Sequence, residues 1–156
     1  MEARAKTVED WFAMIREGHI TLPRFQRYEA WRPHQVEGVL ENILRQPSLP
    51  IGALLVLEVG NEELFVSRPL SGAPAPKTRP QLHLLDGQQR MTALWRALND
   101  NYLDFTVFVS LADDTRPQIA ICRRYLSKSG NRMPLWADDP AQTFERNYVT
   151  THPVLS

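Results

Sequence analysis

The chain has one cysteine, Cys122, so no disulfide can form within it, which favours a reducing compartment. Its four histidines (His19, His34, His83 and His152) lie at spacings that match no zinc-ligand pattern. None of its seven glycines belongs to a phosphate-binding loop ending in Lys-Ser or Lys-Thr. Serine, histidine and aspartate do not fall into a nucleophile signature. Charge of one sign is missing as well. Lysine plus arginine equals aspartate plus glutamate at 18 each, which removes any global argument for nucleic acid or a membrane surface. Long apolar runs are absent: the longest, Ile51 to Val59, is far too short to span a bilayer. Met1 to Lys6 carries no apolar signal core. These absences together predict a cytoplasmic protein without a membrane partner.

What is present suits one domain of ordinary size. The 156 residues are 43% hydrophobic and 23% charged, the balance of a globular chain. Thr7 with Asp10 three residues on forms a capping box, so Val8 to Glu17 should be a helix closed by Gly18. Ile20 and Leu22 suggest a short strand ended by Pro23, and Arg24 to Trp31 a loop. Pro33 fits the first turn of a second helix running to about Gln46, with Val36, Val39, Leu40, Ile43 and Leu44 as its apolar stripe. The continuous apolar character of Ile51 to Val59 predicts a strand buried on both faces. Glu63 to Val66 is a candidate return strand, and Pro69 to Pro80 a loop. A strand over 81–85, a helix from Gly87 to about Asn99 and a strand from Phe105 to Leu111 follow. Ile119 to Leu126 fits a strand or a helix. Past Lys128 no element is convincing, so residues 1–127 are taken as the domain and 128–156 as an extension.

One stretch carries more chemistry than the rest: Leu84-Leu85-Asp86-Gly87-Gln88-Gln89-Arg90-Met91-Thr92-Ala93-Leu94. It reads as strand, tight turn and helix start. The first turn of a helix aims unpaired N–H groups and a partial positive charge outward, which suits a phosphate. Asp86 and Gln89 also fit a plain capping box. Arg90 fits no such role, because a cation in the first turn opposes the helix dipole at a cost of ~0.3–1 kcal/mol. An ion pair with Asp86 four residues back recovers only a few tenths of a kcal/mol, roughly. A planar guanidinium is, however, well matched to phosphate oxygens. A second constellation, Pro23-Arg24-Phe25-Gln26-Arg27-Tyr28-Glu29-Ala30-Trp31, sets two arginines among aromatics. That combination fits phosphate contacts with base stacking, or a surface loop whose Phe25 and Trp31 plug the core.

In these two segments, with the Pro50-Ile51-Gly52 strand start between them, the chain resembles the N-terminal domain of GmrSD-type restriction endonucleases. The second segment is similar to that family's Asp-Gly-Gln-Gln-Arg signature, and the matching stretches span about residues 7 to 111. The resemblance implies an α/β (α+β) fold of the ParB/sulfiredoxin-like kind, a mixed sheet flanked by helices. It further implies a nucleoside-triphosphate-binding and hydrolysing regulatory domain of a modification-dependent restriction system acting against phage DNA. Asp86, Gln88, Gln89 and Arg90 would then carry the catalysis. Arg24, Gln26, Arg27 and Gly87 would hold the nucleotide, with Mg²⁺ as its companion and no metal site of the protein's own. Expected partners are the nucleotide, DNA, an HNH-type nuclease domain or subunit, and a second copy of the chain as a homo-oligomer. No His-rich nuclease motif occurs in these residues, so an N-terminal part of a longer nuclease or a small independent homologue is expected. Sulfiredoxin's reactive cysteine sits in the corresponding turn; here Gln88 and Gln89 stand there, which argues against sulfinic-acid reduction.

The rival reading is a non-catalytic DNA-binding or modification-sensing module. It draws on Arg24 and Arg27, and on the five basic residues between Arg116 and Arg132. A third reading, a protein-interaction domain, would use the proline-rich 69–80 loop.

Overall fold

The computed structural model describes residues 4–45 and 52–152. Helix α1 is Val8–Glu17, and its start follows from the predicted box. Asp10 N–H donates to Thr7 Oγ1 at 3.1 Å, and Thr7 N–H donates to Asp10 Oδ2 at 2.9 Å. Gly18 closes it in the left-handed conformation, donating to the Ile15 and Met14 carbonyls. The chain then enters strand β1 (Ile20–Pro23), buried along its whole length. Helix α2 (Pro33–Leu44) starts on Pro33, with Arg32 N–H donating to Gln35 Oε1 at 3.0 Å. Of its predicted stripe, Val36, Val39 and Leu40 are buried, and Ile43 is exposed. The predicted end at Gln46, with Pro47 and Pro50 beyond it, lies outside the described residues.

Strands β2 (Leu55–Glu58), β3 (Ser67–Arg68) and β4 (Leu82–Asp86) complete a four-stranded mixed sheet in the order β2-β4-β1-β3. β1 and β4 run parallel, and the two outer pairings are antiparallel. Two strand expectations are corrected here. The described part of the Ile51–Val59 run forms a strand only from Leu55 to Glu58, and it is half-exposed at the sheet edge. An unbroken apolar run raises the odds of burial, but an edge strand has a neighbour on one side alone. Glu63 to Val66 forms no return strand; the next strand is Ser67–Arg68, which pairs with β1 and not with β2. Helix α3 (Gln88–Leu98) leaves β4 after Gly87.

Further along are β5 (Phe105–Ser110), β6 (Gln118–Arg123), β7 (Tyr125–Leu126) and β8 (Arg132–Met133), then a 3-10 turn over Leu135–Asp138, α4 (Pro140–Glu145) and β9 (Tyr148–Thr150). β6-β5-β9 is an antiparallel sheet, and β7 pairs with β8 in a hairpin. The stretch past Lys128, expected to lack elements, therefore holds several. Each is two to six residues long, too short for periodicity to reveal.

Contacts group the chain into two compact units, one of residues 1–30 and 52–95, the other of residues 31–51 and 96–156. In the first, Ile15, Ile20, Leu22, Leu70, Leu84, Met91 and Trp95 form the core, with the Phe12 ring set edge-on to Trp95. Leu70 anchors the proline-rich loop in that core. Across the parallel pair, buried Thr21 and His83 meet through Thr21 Oγ1 and His83 Nδ1 at 3.2 Å. In the second unit α2 packs on β6, and Phe108 stacks with Trp136 and Tyr148. Among the described residues no helix is long and apolar enough to cross a membrane.

Candidate functional site

Every predicted site residue lies in the first unit, where the β4–α3 turn meets the loop after β1. Gly87 makes the turn with φ 88°, a conformation that residues with a side chain rarely take. A Cβ there would also sit 2.3 Å from Leu54 Cδ2 and 3.2 Å from Arg90 Nη2. The helix ladder opens with Met91 N–H donating to the Gly87 carbonyl at 3.0 Å. The N–H groups of Gln88 and Gln89 precede that bond, as the first donors of a helix do.

The amide side chains of the turn do not cap the helix. Both are nine-tenths buried and reach across to the loop over residues 26–30. Gln88 Nε2 donates to the Arg27 carbonyl at 2.7 Å. Gln89 uses both ends: Nε2 donates to the Tyr28 carbonyl at 3.2 Å, and Oε1 accepts from Ala30 N–H at 3.0 Å. Gln26 returns the contact, its Nε2 donating to the Leu85 carbonyl at 2.7 Å. Three glutamines thus pin an irregular loop to the strand-to-helix turn through four bonds to main-chain atoms. Asp86, read above as the partner of Gln89 in a cap, instead ends β4 with its carboxylate 75% exposed.

Arg90 lies along the segment before β2. Its Nη2 donates to the Ala53 carbonyl at 2.8 Å, and Asp86 Oδ2 is 3.9 Å away. The expected ion pair exists, but it is long, and the firmer hold is the carbonyl. About a quarter of the Arg90 side chain remains exposed.

Arg24 and Arg27 are exposed on the outer side of the loop, and Arg24 N–H donates to the Val66 carbonyl at 2.8 Å. Arg68, to which the sequence reading gave no role, braces the loop from β3. Its Nη2 donates to the Gln26 and Arg27 carbonyls at 3.1 and 2.8 Å, and its guanidinium lies 4.5 Å from the Tyr28 ring centre. Phe25 does not plug the core: it is 66% exposed, edge-on to Phe65 at 5.1 Å. Tyr28 is 74% exposed. Two aromatic rings and two arginines therefore stand on a loop whose backbone is held from below. Trp31 belongs to the second unit.

Of the five basic residues from Arg116 to Arg132, Arg116, Arg123 and Lys128 are exposed, and Arg124 and Arg132 are committed elsewhere. Arg124 is fully buried and forms a bidentate pair with Asp138, with further donation to Thr106 Oγ1 and the Met133 and Arg132 carbonyls. Arg132 pairs with Asp100 at 2.8 Å and donates to the Tyr102 and Phe105 carbonyls. Neither guanidinium is offered to a phosphate backbone. Cys122 is partly buried; desolvation pushes its thiol pKa up, which disfavours the nucleophilic thiolate. Among the described residues no three His, Cys, Asp or Glu side chains converge as metal ligands.

The family model described as GmrSD restriction endonuclease, N-terminal domain, matches residues 8–152. An uncharacterized protein of Methanocaldococcus jannaschii is 30% identical over 99 residues. That alignment covers 60% of this chain and 17% of the archaeal protein, so the chain corresponds to a small part of that relative's length. No solved structure matches the chain significantly.

Proposed function

The chain belongs to the family of GmrSD restriction endonuclease N-terminal domains, and from that premise we propose that it is the nucleotide-binding regulatory part of a DNA restriction system. The nucleoside triphosphate would bind at the β4–α3 turn and be hydrolysed there. A nuclease domain or subunit, on the same chain or recruited, would cut the DNA.

The observation that carries this reading is Arg90, a cation fixed in the first turn of a helix beside a glycine turn. There the helix dipole and the outward N–H groups of Gln88 and Gln89 favour an anion. A guanidinium in that place neutralises phosphate charge and stabilises the further charge that develops in phosphoryl transfer. Arg24 and Arg27 add positive charge on the adjoining loop. Gln88 and Gln89 serve by holding that loop against the turn; for either to orient an attacking water, one of its loop bonds would have to break. Mg²⁺ usually binds through one or two carboxylates together with substrate phosphates, and the exposed carboxylate of Asp86 fits that donor set. Its chemistry would be to neutralise phosphate charge.

Phosphate release from ATP, GTP, CTP and UTP, each with Mg²⁺, tests the proposal. The parent chain should hydrolyse at least one of them, and Arg90→Ala should lose about tenfold or more, the effect of removing a charge-assisted contact. Equal rates for parent and variant would contradict the role given to Arg90.

One observation favours DNA contact at the same face: Phe25 and Tyr28 are exposed beside Arg24 and Arg27. Aromatic rings flanked by arginines stack unpaired bases while contacting phosphates. In that case binding to a single-stranded oligonucleotide should weaken steeply with added salt. Binding that ignores salt would rule it out.

A further inference from the structure

The backbone at residue 52 has φ +106°, and the space where its side chain would stand is filled by Arg90. A Cβ built there would lie 1.9 Å from Arg90 Nη1 and 3.1 Å from Cζ. The guanidinium crosses the chain at this point, and one residue later its Nη2 donates to the Ala53 carbonyl. We infer that Gly52 is the positioning residue for Arg90: the absent side chain at 52 lets the guanidinium lie across the 52–53 backbone and stay beside the β4–α3 turn.

The clash partner decides what a side chain at 52 would do. Arg90 Nη1 is the far end of a long, rotatable side chain, so it would swing away before the backbone or the core rearranged. Gly52 itself is exposed, and Gly52→Ala would crowd nothing in the core. Gly87 differs, because a methyl there would strike Leu54 Cδ2, part of the core's packing shell, as well as Arg90. Substitution at 52 therefore isolates the Arg90 placement. The inference rests on the phosphate-binding reading of Arg90 for its functional consequence, whereas the coupling between the two residues does not depend on it.

A double-mutant cycle of Gly52→Ala and Arg90→Ala, read by two measurements, tests it. In thermal unfolding, the strain of an alanine at positive φ appears equally with and without Arg90 and cancels from the cycle. What remains is the loss of the Arg90 contact that the methyl displaces. Gly52→Ala should therefore lower Tm less in the Arg90→Ala background than in the parent. In calorimetric titration with Mg²⁺ and each of ATP, GTP, CTP and UTP, Gly52→Ala should weaken binding by about tenfold, much as Arg90→Ala does. In the Arg90→Ala background the same change should cost less than about twofold. Gly60→Ala, where a Cβ meets nothing within 4 Å, should match the parent in both. Additive Tm shifts would overturn the inference. So would a Gly52→Ala variant that binds as the parent does, or one that weakens binding equally without Arg90. If the parent binds none of the four nucleotides, the proposed function fails, and the unfolding cycle alone decides whether Gly52 places Arg90.

Discussion

At the scale of single residues, Arg90 stands where a cation opposes the helix dipole, and its fork is held by the Ala53 carbonyl more than by Asp86. Gln89 shows the other side of the site, since both ends of its amide are spent on loop backbone. Replacing it by alanine leaves a main-chain N–H and a carbonyl without their partner. Amide hydrogen exchange at Ala30 should then speed up by about tenfold or more, the consequence of losing one hydrogen bond, while α1 amides keep their rates. Unchanged exchange at Ala30 would mean that the bond does not hold the loop. Cys122 gives a simpler expectation. Burial raises its thiol pKa, so at neutral pH it should react with iodoacetamide more slowly than a free thiol, and faster once unfolded. Arg90 stood out in the sequence because it breaks a local rule, but its hold on the Ala53 carbonyl did not. The tasks of Gln88 and Gln89 were not legible either, because their partners are the carbonyls of Arg27 and Tyr28, and a backbone acceptor leaves no residue-type signature. Arg68 was missed for the same reason.

At the scale of elements, α1 was readable to the residue, since a capping box and a terminal glycine are local signals. Thr7→Ala should destabilise the chain by about 1 kcal/mol, measured by urea unfolding. Its partner Asp10 has a pKa lowered by its hydrogen bonds to the Thr7 backbone and side chain. A depressed carboxylate contributes stability above its unfolded pKa and loses it as pH falls through the folded one. An NMR titration of Asp10 should thus find its midpoint below the ordinary aspartate value, and in Thr7→Ala the midpoint should rise toward that value. β2 was legible as a strand and misjudged in burial, because what makes it an edge is the order of the sheet. The Ser67–Arg68 strand is set by its pairing to β1, and two residues cannot display a period. The elements beyond Lys128 are held by long-range partners. β9 takes its place from β5, and the 3-10 turn over 135–138 is tied back by Asp138 to Arg124.

At the scale of the molecule, the chain groups into two compact units. The first gathers all eight predicted site residues. In the second, buried Arg124 and its partner Asp138 bind the 3-10 turn to the sheet. Asp138→Ala would strand that guanidinium, and with Asp138 itself half-exposed the cost should fall near the low end for such pairs, about 3 kcal/mol in urea unfolding. Nucleotide binding by the first unit should survive that change under native conditions. The proposed restriction role rests on family membership over residues 8–152, and the proposed phosphate site on the turn from Asp86 to Arg90. Isothermal titration of the parent chain and of Arg90→Ala with nucleoside triphosphates and Mg²⁺ tests that site most directly. The account predicts saturable binding of at least one triphosphate to the parent and about tenfold or weaker binding to the variant. Equal affinity in the two, or no binding by the parent, would contradict it.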